Sequence, residues 1–157
     1  MTDMVSPPWR IAAIQIAREG EAVALLQECG LQSRDIRADA SSFLAARYGG
    51  ALLGLIGLET LGQSGLVRSM AVAPSARGLG IARALYAELE PKAHDLGLTD
   101  LYALTETAEA FFTQAGFELI DRAATPPAIT GTAQFASLCP ASAAVMHLSL
   151  AKRSSLS

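Results

Sequence analysis

"VRSMAVAPSARGLGIARAL", residues 67–85, joins an apolar strand to a helix through one proline and two glycines. Val67 to Val72 reads as a strand, and Pro74 ends it because proline has no N–H for the ladder. Ile81, Leu85 and then Leu89 recur at i, i+4 and i+8, so a buried helix face starts at Ile81. Between strand and helix, Arg77-Gly78-Leu79-Gly80-Ile81-Ala82 aims several unpaired backbone N–H groups at one spot beside a helix N-terminus, where the macrodipole favours negative charge. Glycine at 78 and 80, with only a methyl at 82, lets oxygen atoms approach the main chain, and Arg77 adds a charged rim. An anion fits there. No Gly-Lys-Ser or Gly-Lys-Thr closes the turn, which excludes a nucleotide triphosphatase loop. The third glycine of a dinucleotide fingerprint is missing, and the turn follows the fourth strand, not the first. A tight strand–helix turn holding no ligand would use the same glycines, so the turn alone leaves both readings open.

Upstream, "WRIAAIQIA" reads as a first strand, and "EGEAVALLQECG" sets Ala22, Leu25, Leu26 and Cys29 on one helical face closed by Gly30. "SSFLAARYGGALLGLIGLE" gives two strands about the Gly49-Gly50 hairpin turn, and "LGQSG" turns into the fourth strand. Downstream, Pro91 predicts a kink or break near Leu89 to Glu90 before Gly97 stops the segment. "DLYALT" is a fifth strand, "TAEAFFTQAG" a short helix, "FELID" a strand and "SAAVMHLSL" the last one. Between Arg122 and Pro140 the chain is irregular, with a helical turn expected at "TAQFASLC", and "AKRSSLS" reads as a loose tail. Antiparallel hairpins mixed with helical crossovers predict one α/β sheet with helices on its faces, a single domain over residues 1–157.

A chain of 157 residues hides roughly 68–70% of its unfolded surface, enough for a self-sufficient core. With 17% charged residues and a net charge of −3, nothing draws it to nucleic acid or anionic lipid. No apolar run approaches the roughly 18 residues of a membrane span and no secretory signal is evident, so a cytoplasmic protein is expected. Cys29 and Cys139 stand apart without ligand spacing, which predicts reduced thiols and no metal site.

Arg77-Gly78-Leu79-Gly80-Ile81-Ala82 resembles the Arg/Gln-x-x-Gly-x-Gly/Ala signature of the GCN5-related N-acetyltransferases (GNAT), and "AEAFFTQAGFE" at 108–118 resembles their second motif. The strand order agrees over nearly the whole chain. The resemblance implies a mixed, mostly antiparallel sheet splayed between strands 4 and 5. It implies acetyl-CoA as co-substrate, with its pyrophosphate held by residues 77–82 (Gly78, Gly80 and Ala82 forming the cradle). The main chain of Met70, Ala71 and Val72 would face the pantetheine arm, and the Val72 N–H would face the developing oxyanion. "VRSMAVAP", "LYALTETAEAFFTQAGF", "DRAATPPAI" and "FASLCPASAAVM" look like the small N-acetyltransferases associated with arsenic-resistance operons, which also resemble the acetyltransferase domain of N-acetylglutamate synthase. From these likenesses the acceptor is expected to be the amino group of a small amino acid, glutamate included, or of an analogue such as an arsenic-containing one.

Acetyl transfer to an amine needs a neutral nitrogen, a proton acceptor, donors for the oxyanion and a way for the thiolate to leave. Glu59, at the end of the apolar third strand, is the first candidate base, with an exposed strand-end carboxylate as the alternative. Glu106, just past the fifth strand, is the second; it would otherwise serve only the next helix's N-terminus. Arg68 interrupts an apolar strand, so its guanidinium must meet a carboxylate or a polar cavity. An acceptor carboxylate and a structural pair with Glu59 both satisfy it. Where many relatives carry a tyrosine that protonates the thiolate, this chain has Phe112, which passes that role to water, to Tyr102 or to no group. Phe111 and Phe112 either wall the coenzyme or fill the core. Thr105 stands where relatives often carry asparagine near the pantetheine. Cys139 either lines the acceptor pocket or packs as filler. His94 and His147 show no partner spacing. Two other functions stay open: a catalytically idle acyl-CoA sensor, and an acetyltransferase of peptide or protein N-termini. A homodimer sharing a sheet edge is likewise neither required nor excluded.

Overall fold

The computed structural model describes residues 8–31, 36, 41–132, 135 and 143–150. The elements follow as β1 (Arg10–Ile14), α1 (Gly20–Glu28), β2 (Ser41–Tyr48), β3 (Ala51–Leu61), β4 (Ser64–Val72), α2 (Ile81–Asp95), β5 (Asp100–Thr105), α3 (Glu109–Gln114), β6 (Glu118–Ile120), α4 (Pro127–Thr130) and β7 (Ala144–Ser149). One sheet holds all the strands in the order β1-β2-β3-β4-β5-β7-β6. Every neighbouring pair is antiparallel except β4 and β5, which run parallel because the α2 crossover separates them.

Two cores lie on opposite faces. On one, α2 seats Ile81, Leu85 and Leu89 against Ile56, Leu58 and Val67. Gly54 makes that approach: a Cβ there would stand 2.9 Å from the Ile81 Cγ2. On the other face, α1 buries Ala22, Leu25 and Leu26 over Phe43, Leu55 and Ala71. A smaller cluster of Leu66, Tyr102 and Ile129 covers the far half of that face.

Several expectations shift. The first strand stops at Ile14 and a 3-10 turn takes Ile16–Arg18. Pro91 does not break α2, which runs through it to Asp95. The proline leaves the Ala87 carbonyl without its helical donor, but Ala87 is exposed, a position at which the lost bond costs little because solvent is at hand. The helical turn expected at "TAQFASLC" is preceded by turns at Arg122–Ala124 and at α4. Most of that stretch, Cys139 with it, and residues 151–157 lie outside the described residues.

Candidate functional site

β4 and β5 pair only from Ser64 and Asp100 to Val67 and Ala103, yet β4 runs on to Val72 and β5 to Thr105. Beyond Val67 the two parallel strands part, and a cleft of about 290 Å³ opens between them. Its walls include Arg68, Ser69 and Met70 from β4, Thr105 and Glu106 from the end of β5, and Phe112 from α3.

The register across β3 explains what β4 offers to this cleft. Gly57 faces Arg68 and Leu55 faces Ala71, so Ile56 is opposed by both Ser69 and Met70, which makes a β-bulge. Ser69 sits there at φ 58°, the one non-glycine residue with positive φ among the described residues. Past the bulge, Ala73 N–H donates to the Leu53 carbonyl at 2.8 Å. Antiparallel alternation then gives Ala71 to β3 and turns the N–H and C=O of Val72 away from it, toward the splay. The Val72 carbonyl indeed accepts from the Arg77 Nε at 3.1 Å, with the Cys29 thiol 3.8 Å away. Arg77 folds back toward the splay, its Nη2 3.7 Å from the Cys29 Sγ, and remains exposed at the edge of the glycine turn.

Next to the cleft is a hollow of about 370 Å³ lined by Val72, Arg77, Gly78, Gly80, Ile81, Ala82 and Phe111, among others. Gly78 and Gly80 both have φ +83°, and a Cβ on either would meet no heavy atom within 4 Å. Backbone N–H groups from Gly78 through Arg83 find no acceptor among the described residues, and the first one served is Ala84, by the Gly80 carbonyl at 3.0 Å. An anion with several oxygens fits this concavity, the strongest cue the sequence offered. Leu79 is exposed at its tip, whereas Ile81 anchors it in the core. Phe111 walls the hollow; Phe112, buried, lines the cleft. Sequence reasoning missed a third space, about 730 Å³ between α2 and α3, which shares Arg83 and Phe111 with the hollow and adds Tyr86, Pro91 and His94. Arg83 and Tyr86 could have been found from the helical spacing that puts them one residue and about one turn past the loop.

Glu59 is neither exposed nor at a strand end: it is buried inside β3, and its Oε1 lies 3.3 Å from the Arg68 Nη1. The structural pair is therefore present, and Arg68 also borders the cleft, with its side chain only 1% exposed. Its Nε donates to the Ser69 Oγ at 3.1 Å, tying the cation to the bulge. Glu106 is exposed at the cleft. Tyr102 is removed from it: its partner is Leu66 in the paired part of β4 and β5, and its ring is buried against Ile129. Burial, with the Asp100 charge beside it, pushes the phenol pKa up.

His147 has a partner after all. Its Nε2 is 2.7 Å from the Asp100 Oδ1, and its ring packs on Tyr102. Burial works to raise the Asp100 pKa, but the hydrogen bonds from His147 and Thr99, with the imidazole's charge, outweigh it and hold the carboxyl below its ordinary value. Among the described residues no group of His, Cys, Asp and Glu could hold a metal ion, and no helix is long and apolar enough to cross a membrane.

The profile of the Acetyltransferase (GNAT) family matches residues 7–117. The chain belongs to the GNAT acetyltransferase family. Solved GNAT-like structures share its fold. N-acetylglutamate synthase from Neisseria gonorrhoeae, complexed with coenzyme A and N-acetyl-glutamate, superposes with a TM-score of 0.72 at 23% identity over 90% of this chain. The chain spans only 35% of that enzyme's length. A GNAT-family acetyltransferase from Staphylococcus aureus Mu50 gives 0.72 at 17% identity, covering 90% of this chain and 99% of that one. Rv2747 from Mycobacterium tuberculosis, in complex with CoA and a second ligand, gives 0.65 at 25% identity, covering 88% and 98%. No curated protein gives a significant sequence match.

Proposed function

We propose that this GNAT acetyltransferase moves the acetyl group of acetyl-CoA to the amino group of a small amino acid or amino-acid analogue, with both substrates bound at once. The observation that carries the reading is the splay itself. The main-chain N–H of Val72 turns toward the parting strands, beside a cleft whose wall includes the buried cation Arg68.

Acetyl-CoA supplies an activated acyl group. The amides from Gly78 to Arg83 would hold its pyrophosphate, and several amides sharing that charge make a lysine dispensable. Met70 and Val72 would present their main chain to the pantetheine arm, and the Val72 N–H would stabilise negative charge on the acetyl oxygen. Arg68 would receive the acceptor's carboxylate. Glu59, next to Arg68, would take the amine's proton directly or through water, with Glu106 as the competing base. An arsenic-containing amino-acid analogue belongs to the same acceptor class, and so does glutamate, the acyl acceptor implied for the gonococcal enzyme by its bound N-acetyl-glutamate.

The test is thiol release from acetyl-CoA with a panel of amino acids, arsenic-containing analogues and the matching amines that lack the carboxylate. Release is expected with amino acids and lost with the amines. Equal rates on both would overturn the carboxylate reading, whereas coenzyme binding without amine-dependent release would establish a sensor. Glu59→Gln and Glu106→Gln then identify the base by which of them lowers kcat.

A further inference from the structure

Among the described residues no carboxylate pairs with the Arg77 guanidinium, and the contacts it makes are with a neutral carbonyl and a thiol. Its Nε donates to the Val72 oxygen at 3.1 Å, five residues back along the chain. The same side chain borders the glycine-lined hollow. The guanidinium thus has two destinations: the carbonyl it holds in this structure, and an anion in the hollow.

The Val72 carbonyl is fully engaged in turn. A carbonyl oxygen has two lone pairs, and the Arg77 Nε at 3.1 Å and the Cys29 thiol at 3.8 Å are as many donors as it can serve. The two donors belong to different spaces, for Arg77 lines the hollow and Cys29 lines the cleft. A flexible arm that enters from the hollow therefore comes to this oxygen on the side that Arg77 occupies. The bond in its way is exposed and screened by solvent, whereas a phosphate offers the guanidinium anionic oxygens that match its fork of donors.

We infer that Arg77 is a latch: with the hollow empty it holds the Val72 carbonyl, and when phosphates fill the hollow it turns to them and leaves that carbonyl to an amide N–H of the pantetheine arm. The inference rests on the acetyl-CoA reading above and adds an order to it. The phosphate end of the coenzyme prepares the main chain that its arm needs. Only hydrogen bonds change partners in the step. Because both ends act on one side chain, binding at one must strengthen binding at the other by the same factor. An acyl-pantetheine that lacks the phosphates meets a closed latch, so the protein selects against it by more than the missing phosphate contacts.

The experiment separates the two ends. Inorganic pyrophosphate stands for one; pantetheine with its terminal hydroxyl replaced by hydrogen, which leaves room for the phosphate oxygens, stands for the other. Titrations of the full chain followed by NMR give the Kd of the arm alone and with pyrophosphate saturating. In wild type, pyrophosphate should tighten the arm about three- to tenfold, the worth of one exposed hydrogen bond from a charged donor. Arg77→Met keeps the stem and removes the donors, and Arg77→Ala serves if that variant fails to fold. In the variant the arm alone should bind about three- to tenfold tighter than to wild type, pyrophosphate should add nothing, and CoA should bind more weakly because its phosphates lose a cation. If Arg77 only binds phosphate, pyrophosphate leaves the arm's Kd in wild type unchanged; if it only braces β4, Arg77→Met weakens the arm. Either result overturns the inference, and so does a pyrophosphate effect that survives in Arg77→Met. Wild-type protein that binds neither pyrophosphate nor CoA would overturn the acetyl-CoA reading itself, and the latch with it.

Discussion

Gly80→Ala adds one methyl group at the start of α2, with two separable consequences. Gly80 holds φ 83° and ψ 16°, a left-handed conformation that costs an L-residue about 1–2 kcal/mol. The new Cβ meets no heavy atom within 4 Å, so no neighbour has to move. In a domain of this size each kcal/mol lowers Tm by about 2–4 °C, and the variant should melt about 2–8 °C early. Its methyl, however, projects into the hollow lined by Gly78, Gly80 and Ala82. Displacing a phosphate oxygen from a single amide forfeits about 1.5–3 kcal/mol of charge-assisted hydrogen bonding, roughly 10- to 150-fold in Kd. Gly97→Ala is the matched control: Gly97 follows the other end of α2 at φ +78° with nothing within 4 Å. Calorimetric melting and CoA titration of both variants should show similar losses of Tm and a loss of affinity in Gly80→Ala alone. Unchanged affinity in Gly80→Ala refutes the phosphate cradle, and equal affinity losses in the two variants trace the effect to backbone strain.

The Glu59–Arg68 pair has side-chain exposures of 6% and 1%, so Glu59→Gln or Arg68→Met alone should cost about 3–5 kcal/mol, and the double variant less than their sum. Urea unfolding of the four proteins checks this, and additivity would mean that the two charges do not depend on each other. Asp100, whose pKa is lowered in the fold, contributes stability that is complete above the unfolded value of about 3.9 and is lost as pH falls through the folded one. The stability gap between wild type and Asp100→Asn should therefore shrink as urea midpoints are measured from about pH 5 downward, and a gap that widens there reverses the assigned sign. Gly57→Ala puts a Cβ 2.6 Å from the Phe43 ring under α1, an overpacking worth about 1–3 kcal/mol. A thermal melt equal to wild type would show that Phe43 yields freely.

The parts of the molecule that sequence reveals are those whose determinants lie within one turn of each other. The glycine turn between β4 and α2 is such a case. Pro74, Gly78, Gly80 and Ile81 specify strand end, left-handed turns and helix start within eight residues, and each sits as that spacing requires. At Pro91 the same local logic allows a kink or a break, and the break does not occur: α2 continues to Asp95. The cleft is different in kind. Its main-chain donor at Val72 exists because the β3–β4 register changes by one residue at Ser69, and a serine in a left-handed conformation carries no letter that announces it. Asp100 and His147 meet only because β5 and β7 are antiparallel neighbours with Tyr102 opposite His147. Thr105 shows how the two kinds of information combine. Its capping of α3 is local, yet it lines a cleft only because β4 leaves β5 two residues earlier. The chemistry of this site thus depends on where the parallel pair stops being paired, and that point is set by packing on both faces of the sheet: α2 on one, α1 and Ile129 on the other.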